Sequence, residues 1–228
     1  MKKLVIIPAY NESESIENTI RSIIKDAPDF DYIVVNDCSR DSTEDILKSG
    51  GYSHISLPVN LGIGGAMQTG YRFAKDHNYD VAAQIDGDGQ HDVRFLKDML
   101  ELLEKENADM VIGSRFIDKE GFQSTKIRRA GISYFTWLIR VLTGSVIHDP
   151  TSGMRLVNRS VIEMFADRYP SDYPEPESVV SLLRNGRKVL ELPVVMRERQ
   201  GGISSIRFSG SIYYMIKVTI AIMIERTR

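Results

Sequence analysis

The first 116 residues alternate between short runs of apolar, β-branched side chains and longer stretches whose apolar positions fall three and four apart. The runs are "KLVIIP", "DYIVVND", "HISLP", "VAAQID" and "DMVIGS". Between them lie "ESESIENTIRSIIKD", "DSTEDILKSG", "GIGGAMQTGYRFAKDH" and "HDVRFLKDMLELLEKEN", each with an acidic or small residue near its start. A period near two that switches repeatedly to a period near 3.6 predicts β-α units around a largely parallel sheet, a Rossmann-like nucleotide-binding half. In such sheets ligands sit beyond the carboxyl ends of the strands. "NDCSRD", "IDGDGQ" and "GSRF" all fall at those ends.

From about residue 117 the pattern is less regular. It gives a helix containing "YFTWLIRVL", a Pro-rich stretch "YPSDYPEPE", a helix "SVVSLLRNG", a strand "KVLELPVV" and a last apolar helix. No repeat, low-complexity tract or linker separates the halves. The expectation is one α/β domain over residues 1–228, divided into 1–116, 117–206 and a C-terminal apolar or amphipathic helix at 207–228. A chain of 228 residues, 42% hydrophobic and 26% charged, is long enough to bury one sizeable core. Its net charge of −2 argues against nucleic acid as a partner of the whole surface. A single cysteine, Cys38, rules out an intrachain disulfide framework and suits a reducing compartment, so a cytoplasmic setting is expected. The opening "MKKLVIIPAYNE" meets Pro8 and polar residues too soon for a signal-peptide core, and reads as a first strand.

"QIDGDGQH", residues 84–91, places Asp86 and Asp88 one residue apart with glycines between and after them. In an extended turn one carboxylate can ligate a divalent cation while the other ligates it or orients its water. Hard oxygen ligands suit Mg2+ or Mn2+, and Mg2+ takes few protein carboxylates when phosphate oxygens complete its shell. Such a metal would arrive with a phosphorylated ligand. Alone, the pattern reads better as a solvated turn; its place after a buried strand favours a metal site, to which Gln90 can add an oxygen. His91 reads as a surface or helix-start residue.

Taken in order, "IIPAYNE", "VVNDCSRDST", "NLGIGGAMQTG", "QIDGDGQH" and "GSRF" resemble glycosyltransferase family 2, whose fold is GT-A. "DPTSGMR" and "RERQGGISS" resemble its polyprenyl-phosphate sugar synthase branch, the group around dolichol-phosphate mannose synthase. The resemblance covers roughly residues 3 to 205. It implies that Pro8, Tyr10 and Glu12 line the nucleoside pocket, and that Asp37 contacts the base or ribose. An Asx-turn or helix cap is the other reading of Asp37, with Asp41 or Ser42 able to take the cap instead. The glycines of "NLGIGGAMQTG" either let the backbone approach a sugar nucleotide or allow tight strand-helix packing. Asp86, Asp88 and Gln90 match the metal and diphosphate motif, and Arg199 matches an arginine on the donor diphosphate. Bound Mg2+ or Mn2+ would neutralise the departing nucleoside diphosphate.

For the acceptor, the resemblance points to Arg115, Arg129 and Ser133 around a phosphate, with Arg128 able to replace Arg129. Guanidinium forks suit phosphate oxygens, and positions four apart share a helix face. A phosphate monoester with a second pKa of about 6 is mostly dianionic at neutral pH and needs no strong base. Glu177 matches a glutamate that serves as base in relatives that glycosylate hydroxyls. Here it binds a sugar hydroxyl, acts as a base or favours the positive end of its helix. Glu175 is a weaker candidate. Where the branch often has lysine after the serine of its G-x-S stretch, this chain has Ser205.

No run approaches the roughly 20 apolar residues of a spanning helix. "IYYMIKVTIAIMI" is interrupted by Lys217, with Arg207, Arg226 and Arg228 around it. "RRAGISYFTWLIRVL" combines Arg128, Arg129 and Arg140 with Tyr134, Phe135 and Trp137. Both segments fit the headgroup region of a membrane, a core, or a protein partner. The expected function is an inverting, metal-dependent transferase of hexose or N-acetylhexosamine. It would carry sugar from a nucleoside diphosphate, a UDP-sugar by preference, to a polyprenyl phosphate at the cytoplasmic membrane face, for envelope glycan assembly. Transfer to a glycan or protein hydroxyl with Glu177 as base, and a non-catalytic nucleotide-sugar-binding subunit of a membrane partner, are the alternatives. A small integral membrane partner or a second copy could dock on the C-terminal helix.

Overall fold

The computed structural model describes residues 1–118, 126–172, 174–197, 215, 217–221 and 223, with 126–128 as backbone alone. Strands β1 (Lys3–Ala9), β2 (Asp31–Asn36), β3 (His54–Ser56), β4 (Val81–Gln84), β5 (Met110–Ser114), β6 (Arg155–Asn158) and β7 (Val189–Pro193) form one sheet in the order β3-β2-β1-β4-β6-β5-β7. The first four run parallel, as expected. β6 runs antiparallel to both β4 and β5, and β7 is parallel to β5.

Helices cover both faces, so the inner strands are apolar on both sides and read as continuous runs rather than alternations. Val5, Ile7 and Val34 face α1 (Ile16–Asp26), α2 (Thr43–Ser49) and α4 (Phe95–Lys105). Leu4, Ile6, Ile33 and Val35 face α3 (Gly62–Asp76), α5 (Lys126–Thr143), α6 (Arg159–Asp167) and α7 (Pro174–Arg184). Gly70 of α3 lies so close to β1 that a Cβ there would stand 2.2 Å from Ile6 Cγ2.

Three features depart from the expected pattern. β6 and α6 lie outside the expected elements: the four-residue strand "RLVN" runs straight into the helix with no turn between them. Asn158 is both the last strand residue and the N-cap, its side-chain oxygen accepting the Val161 N–H at 3.1 Å. α7 begins at Pro174, four residues before the expected start, so the Pro-rich stretch supplies the first turn, where the missing N–H of proline costs nothing.

Candidate active site

The acidic loop leaves β4 beside the end of β1. Thr19 Oγ1 of α1 donates to the Gly87 carbonyl at 3.1 Å, and a Cβ on Gly87 would lie 3.4 Å from both the Pro8 carbonyl and Glu12 Cγ. Pro8 and Glu12 are thus neighbours of the acidic loop. Gln84 Nε2 reaches Asp86 Oδ1 at 3.4 Å. Asp88 is 7% exposed, and its Oδ1 accepts the Gln90 N–H at 3.0 Å across a turn in which Gly89 has φ +74°. His91 is not a surface residue: its ring is buried under the loop, with Nδ1 accepting the Asp86 N–H at 3.1 Å and Nε2 3.6 Å from Asp86 Oδ2.

Among the described residues no three His, Cys, Asp or Glu side chains group into a metal cage. Two carboxylates and an amide fit instead a hard cation whose remaining ligands come from phosphate and water. The space beside Asp86 is kept open by Gly153, where a Cβ would sit 2.5 Å from Asp86 Oδ2.

Asp92 closes the loop. Its carboxylate takes Arg94 Nε at 2.9 Å and Arg197 from beyond β7 at 3.1 Å. The Arg94 guanidinium first, then its N–H and the charge of Arg197, hold the Asp92 carboxyl down to about 2, against burial that pushes it up. The Arg197 N–H also donates to the Gln90 carbonyl at 2.9 Å, so the chain leaving β7 is fastened to the acidic loop.

The mouth of the parallel strands is laced across the loops after β1 and β2. Asn11 and Cys38 both adopt left-handed backbone, with φ +57° each. Asn11 Oδ1 accepts the Arg40 N–H at 2.8 Å, and Ser39 Oγ accepts the Asn11 N–H at 3.0 Å. Buried Thr43 donates its hydroxyl to Asp41 at 2.6 Å and accepts the Glu12 N–H at 2.9 Å. Asp41, not Ser42, accepts the Thr43 N–H at the start of α2. Tyr10 stands 43% exposed at this rim.

Asp37 is 3% exposed, and its two oxygens accept the Leu61 and Gly62 N–H groups at 2.7 and 2.9 Å. It caps α3 from a neighbouring strand, and Gly62 turns the chain there with φ +75°. Gly64 N–H donates to the Ser171 carbonyl at 3.1 Å, and a Cβ on Gly64 would fall 2.0 Å from the Pro170 carbonyl oxygen. The glycines of this stretch therefore serve close packing against protein.

On the other side, Arg115 forms a buried fork with Asp149, Nε to Oδ2 and Nη2 to Oδ1 both at 2.7 Å. Glu191 of β7 accepts the Asp149 and His148 N–H groups at 2.8 and 2.7 Å. Arg155, 1% exposed, donates to the carbonyls of Ser152 and Pro150 and to Ser178 Oγ, each at 2.8 Å. Sequence reasoning singled out none of Asp92, Asp149, Gly153, Arg155 or Glu191 by role, although "DPTSGMR" contains three of them. Arg115, expected at the acceptor phosphate, is engaged here by Asp149.

Arg129 and Ser133 lie exposed one turn apart on α5, together with Trp137, Arg140 and Val141, while Ile132, Phe135, Leu138 and Ile139 face the core. Glu177 lies in the first turn of α7 and lines a cavity of about 170 Å³ with Ser171, Asp172 and Lys217. Lys217 pairs with Asp172 at 2.7 Å in a solvent-exposed pair. Arg199, Ser205, Arg207, Arg226 and Arg228 lie outside the described residues, as does the Arg128 side chain. No helix among the described residues is long and apolar enough to cross a membrane.

A family profile described as Glycosyl transferase family 2 matches residues 4–165. The chain is 31% identical over 221 residues to the undecaprenyl-phosphate mannosyltransferase of Micrococcus luteus, covering 93% of this chain and 89% of that one. It is 26% identical over 213 residues to a UDP-N-acetylglucosamine–dolichyl-phosphate N-acetylglucosaminyltransferase of Methanococcus voltae, covering 83% of each. Among solved structures, glucosyl-3-phosphoglycerate synthase from Mycobacterium tuberculosis, in complex with Mn2+, UDP and phosphoglyceric acid, shares the fold. Its TM-score is 0.73 at 20% identity, over 99% of this chain and 78% of that one. The α/β arrangement is that of the GT-A glycosyltransferases.

Proposed function

The chain belongs to glycosyl transferase family 2, and from that premise we propose that it moves one sugar, with inversion, from a nucleoside diphosphate to a polyprenyl phosphate at the cytoplasmic face of the cell membrane. A UDP-sugar is the favoured donor, and the product would be a lipid-linked sugar for envelope glycan assembly. The reading is carried by the exposed pairing of Arg129 and Ser133 on one face of α5, in a chain whose relatives are named for transfer to undecaprenyl and dolichyl phosphates.

Asp86, Asp88 and Gln90 would hold Mg2+ or Mn2+ with the donor diphosphate. That cation, when bound, would supply Lewis-acid stabilisation of the departing diphosphate. Pro8, Tyr10, Glu12 and Asp37 border the nucleoside side, with Asp37 acting through the backbone of α3 that it caps. Arg199 is assigned to the donor diphosphate by its motif. Arg129 and Ser133 would orient the acceptor phosphate, whose dianion attacks the anomeric carbon opposite the leaving group without a protein base. Arg115, held by Asp149 through Nε and Nη2, would stand with Arg129 and Ser133 of α5 at the acceptor phosphate, as its motif implies. Trp137, Arg140 and Val141 on that exposed face, with Ile220 and Met223, suit a lipid surface.

The test is transfer from radiolabelled UDP- and GDP-sugars, with Mg2+ or Mn2+, with and without undecaprenyl or dolichyl phosphate. Label entering the lipid phase only with acceptor and metal is expected, and its source names the sugar. Label reaching a glycan or protein hydroxyl instead would favour Glu177 as base. Donor binding without turnover, with membranes added, would mean a binding subunit.

A further inference from the structure

Asp86 and Gly153 face each other because of the antiparallel strand. β4 and β6 pair in the register Ala83↔Leu156 and Gln84↔Arg155. Continued two residues past Gln84, that register sets Asp86 opposite Gly153. Residues directly opposite in an antiparallel pair project to the same face. A Cβ on Gly153 would accordingly stand 2.5 and 2.8 Å from the two carboxylate oxygens of Asp86 and 3.0 Å from its Cγ.

The loop that carries Gly153 is held from every side. Ser152 Oγ donates to the Gly113 carbonyl at 2.6 Å, and the Gly113 N–H donates to the Met154 carbonyl at 2.9 Å. Arg155 takes the Pro150 and Ser152 carbonyls, Arg115 takes the Asp149 carboxylate, and Glu191 takes the Asp149 N–H. Gly153 does not have a positive φ, so alanine meets no backbone strain there. Of the two parts in collision, the free-ended carboxylate is the one that can yield.

We propose that Gly153 is a positioning residue for the metal-binding carboxylate: the braced loop 149–153 forms a wall that sets where the Asp86 oxygens stand, and only glycine leaves room for them. This rests on the metal reading given above. An added methyl would push the carboxylate by about 1 Å to restore ordinary contact. A displacement of that size is enough to spoil ligation geometry without unfolding the chain.

Mn2+ binding in the presence of UDP, followed by electron paramagnetic resonance, tests this, together with thermal melting and UDP binding in EDTA. Gly153→Ala should melt close to wild type and bind UDP alone unchanged, yet hold Mn2+ at least tenfold more weakly. Glu191→Gln, which removes one acceptor from the brace, should weaken Mn2+ by a smaller factor of about three. Wild-type Mn2+ affinity in a folded Gly153→Ala protein, or in Glu191→Gln, would overturn the positioning role alone. Failure of Gly153→Ala to fold would also overturn it, since the strain would then lie in the backbone. Absence of Mn2+ binding by the wild-type protein would instead sink the metal reading itself.

Discussion

Where β1 and β2 end, the loops are tied by single hydrogen bonds between short side chains and backbone, from Asn11, Ser39, Asp41 and Thr43. Where β5, β6 and β7 meet, the loop 148–155 is tied by buried charges: the Arg115–Asp149 fork, the Glu191 carboxylate and the Arg155 guanidinium. The parallel half needs only short polar links because its strands deliver the loops side by side at one end. The mixed half must hold a long irregular connection in place, and an ionic brace does so at the cost of desolvation. The difference is between a site given by topology and a site enforced by side chains.

That comparison can be broken most directly at Asp149. Asp149→Ala removes the buried carboxylate of the Arg115 fork and should cost about 3–5 kcal/mol of stability, read from the denaturant midpoint. A second change, Arg115→Met, should recover much of the loss; a cost below about 1 kcal/mol would show the brace to be dispensable. On the parallel side, Thr43→Val removes one hydroxyl and should cost only about 1–2 kcal/mol. UDP affinity should fall with it, as the Glu12 backbone loses its acceptor. Equal losses at Thr43 and Asp149 would erase the distinction.

An effect of similar size, but confined to acid, is expected at Asp92, where the two halves are fastened together. Its carboxyl titrates near 2 in the fold and near 3.8 when unfolded. The stability it adds is present above about pH 4 and disappears as pH falls through 2, because the unfolded chain takes up the proton first. A loss of about 1–2 kcal/mol over that range is expected, discounted for the exposure of Arg94. Asp92→Asn should flatten it in acid unfolding curves.

What the sequence disclosed follows the same division. Strands β1, β2, β4 and β5 lay within the apolar runs because burial on both faces writes itself as continuous hydrophobicity, and Asp86 and Asp88 stood out by following one of them. β6 opens with a buried arginine and offers four residues, too few for any period to emerge. The role of Asp149 was illegible for another reason: its partners Arg115 and Glu191 lie 34 and 42 residues away, a proximity that only the strand order creates. His91 misled because a polar residue after an acidic turn ordinarily faces water, and here its ring nitrogen is the acceptor for that turn. The α3 glycines were readable as either phosphate contact or packing, and Pro170, Ser171 and Ile6 identify what they touch.

The insertion of β6 between β4 and β5 also bears on how the chain is made. As synthesis proceeds, β4 pairs with β1 but lacks a neighbour on its other edge until residues 155–158 emerge. A nascent chain with an open, apolar edge strand is prone to wrong pairing. Meanwhile the acidic loop has no Gly153 beside it. The 67 positions from Asp86 to Gly153, roughly 3–13 s at ordinary elongation rates, thus separate the appearance of the carboxylate from the wall that sets it.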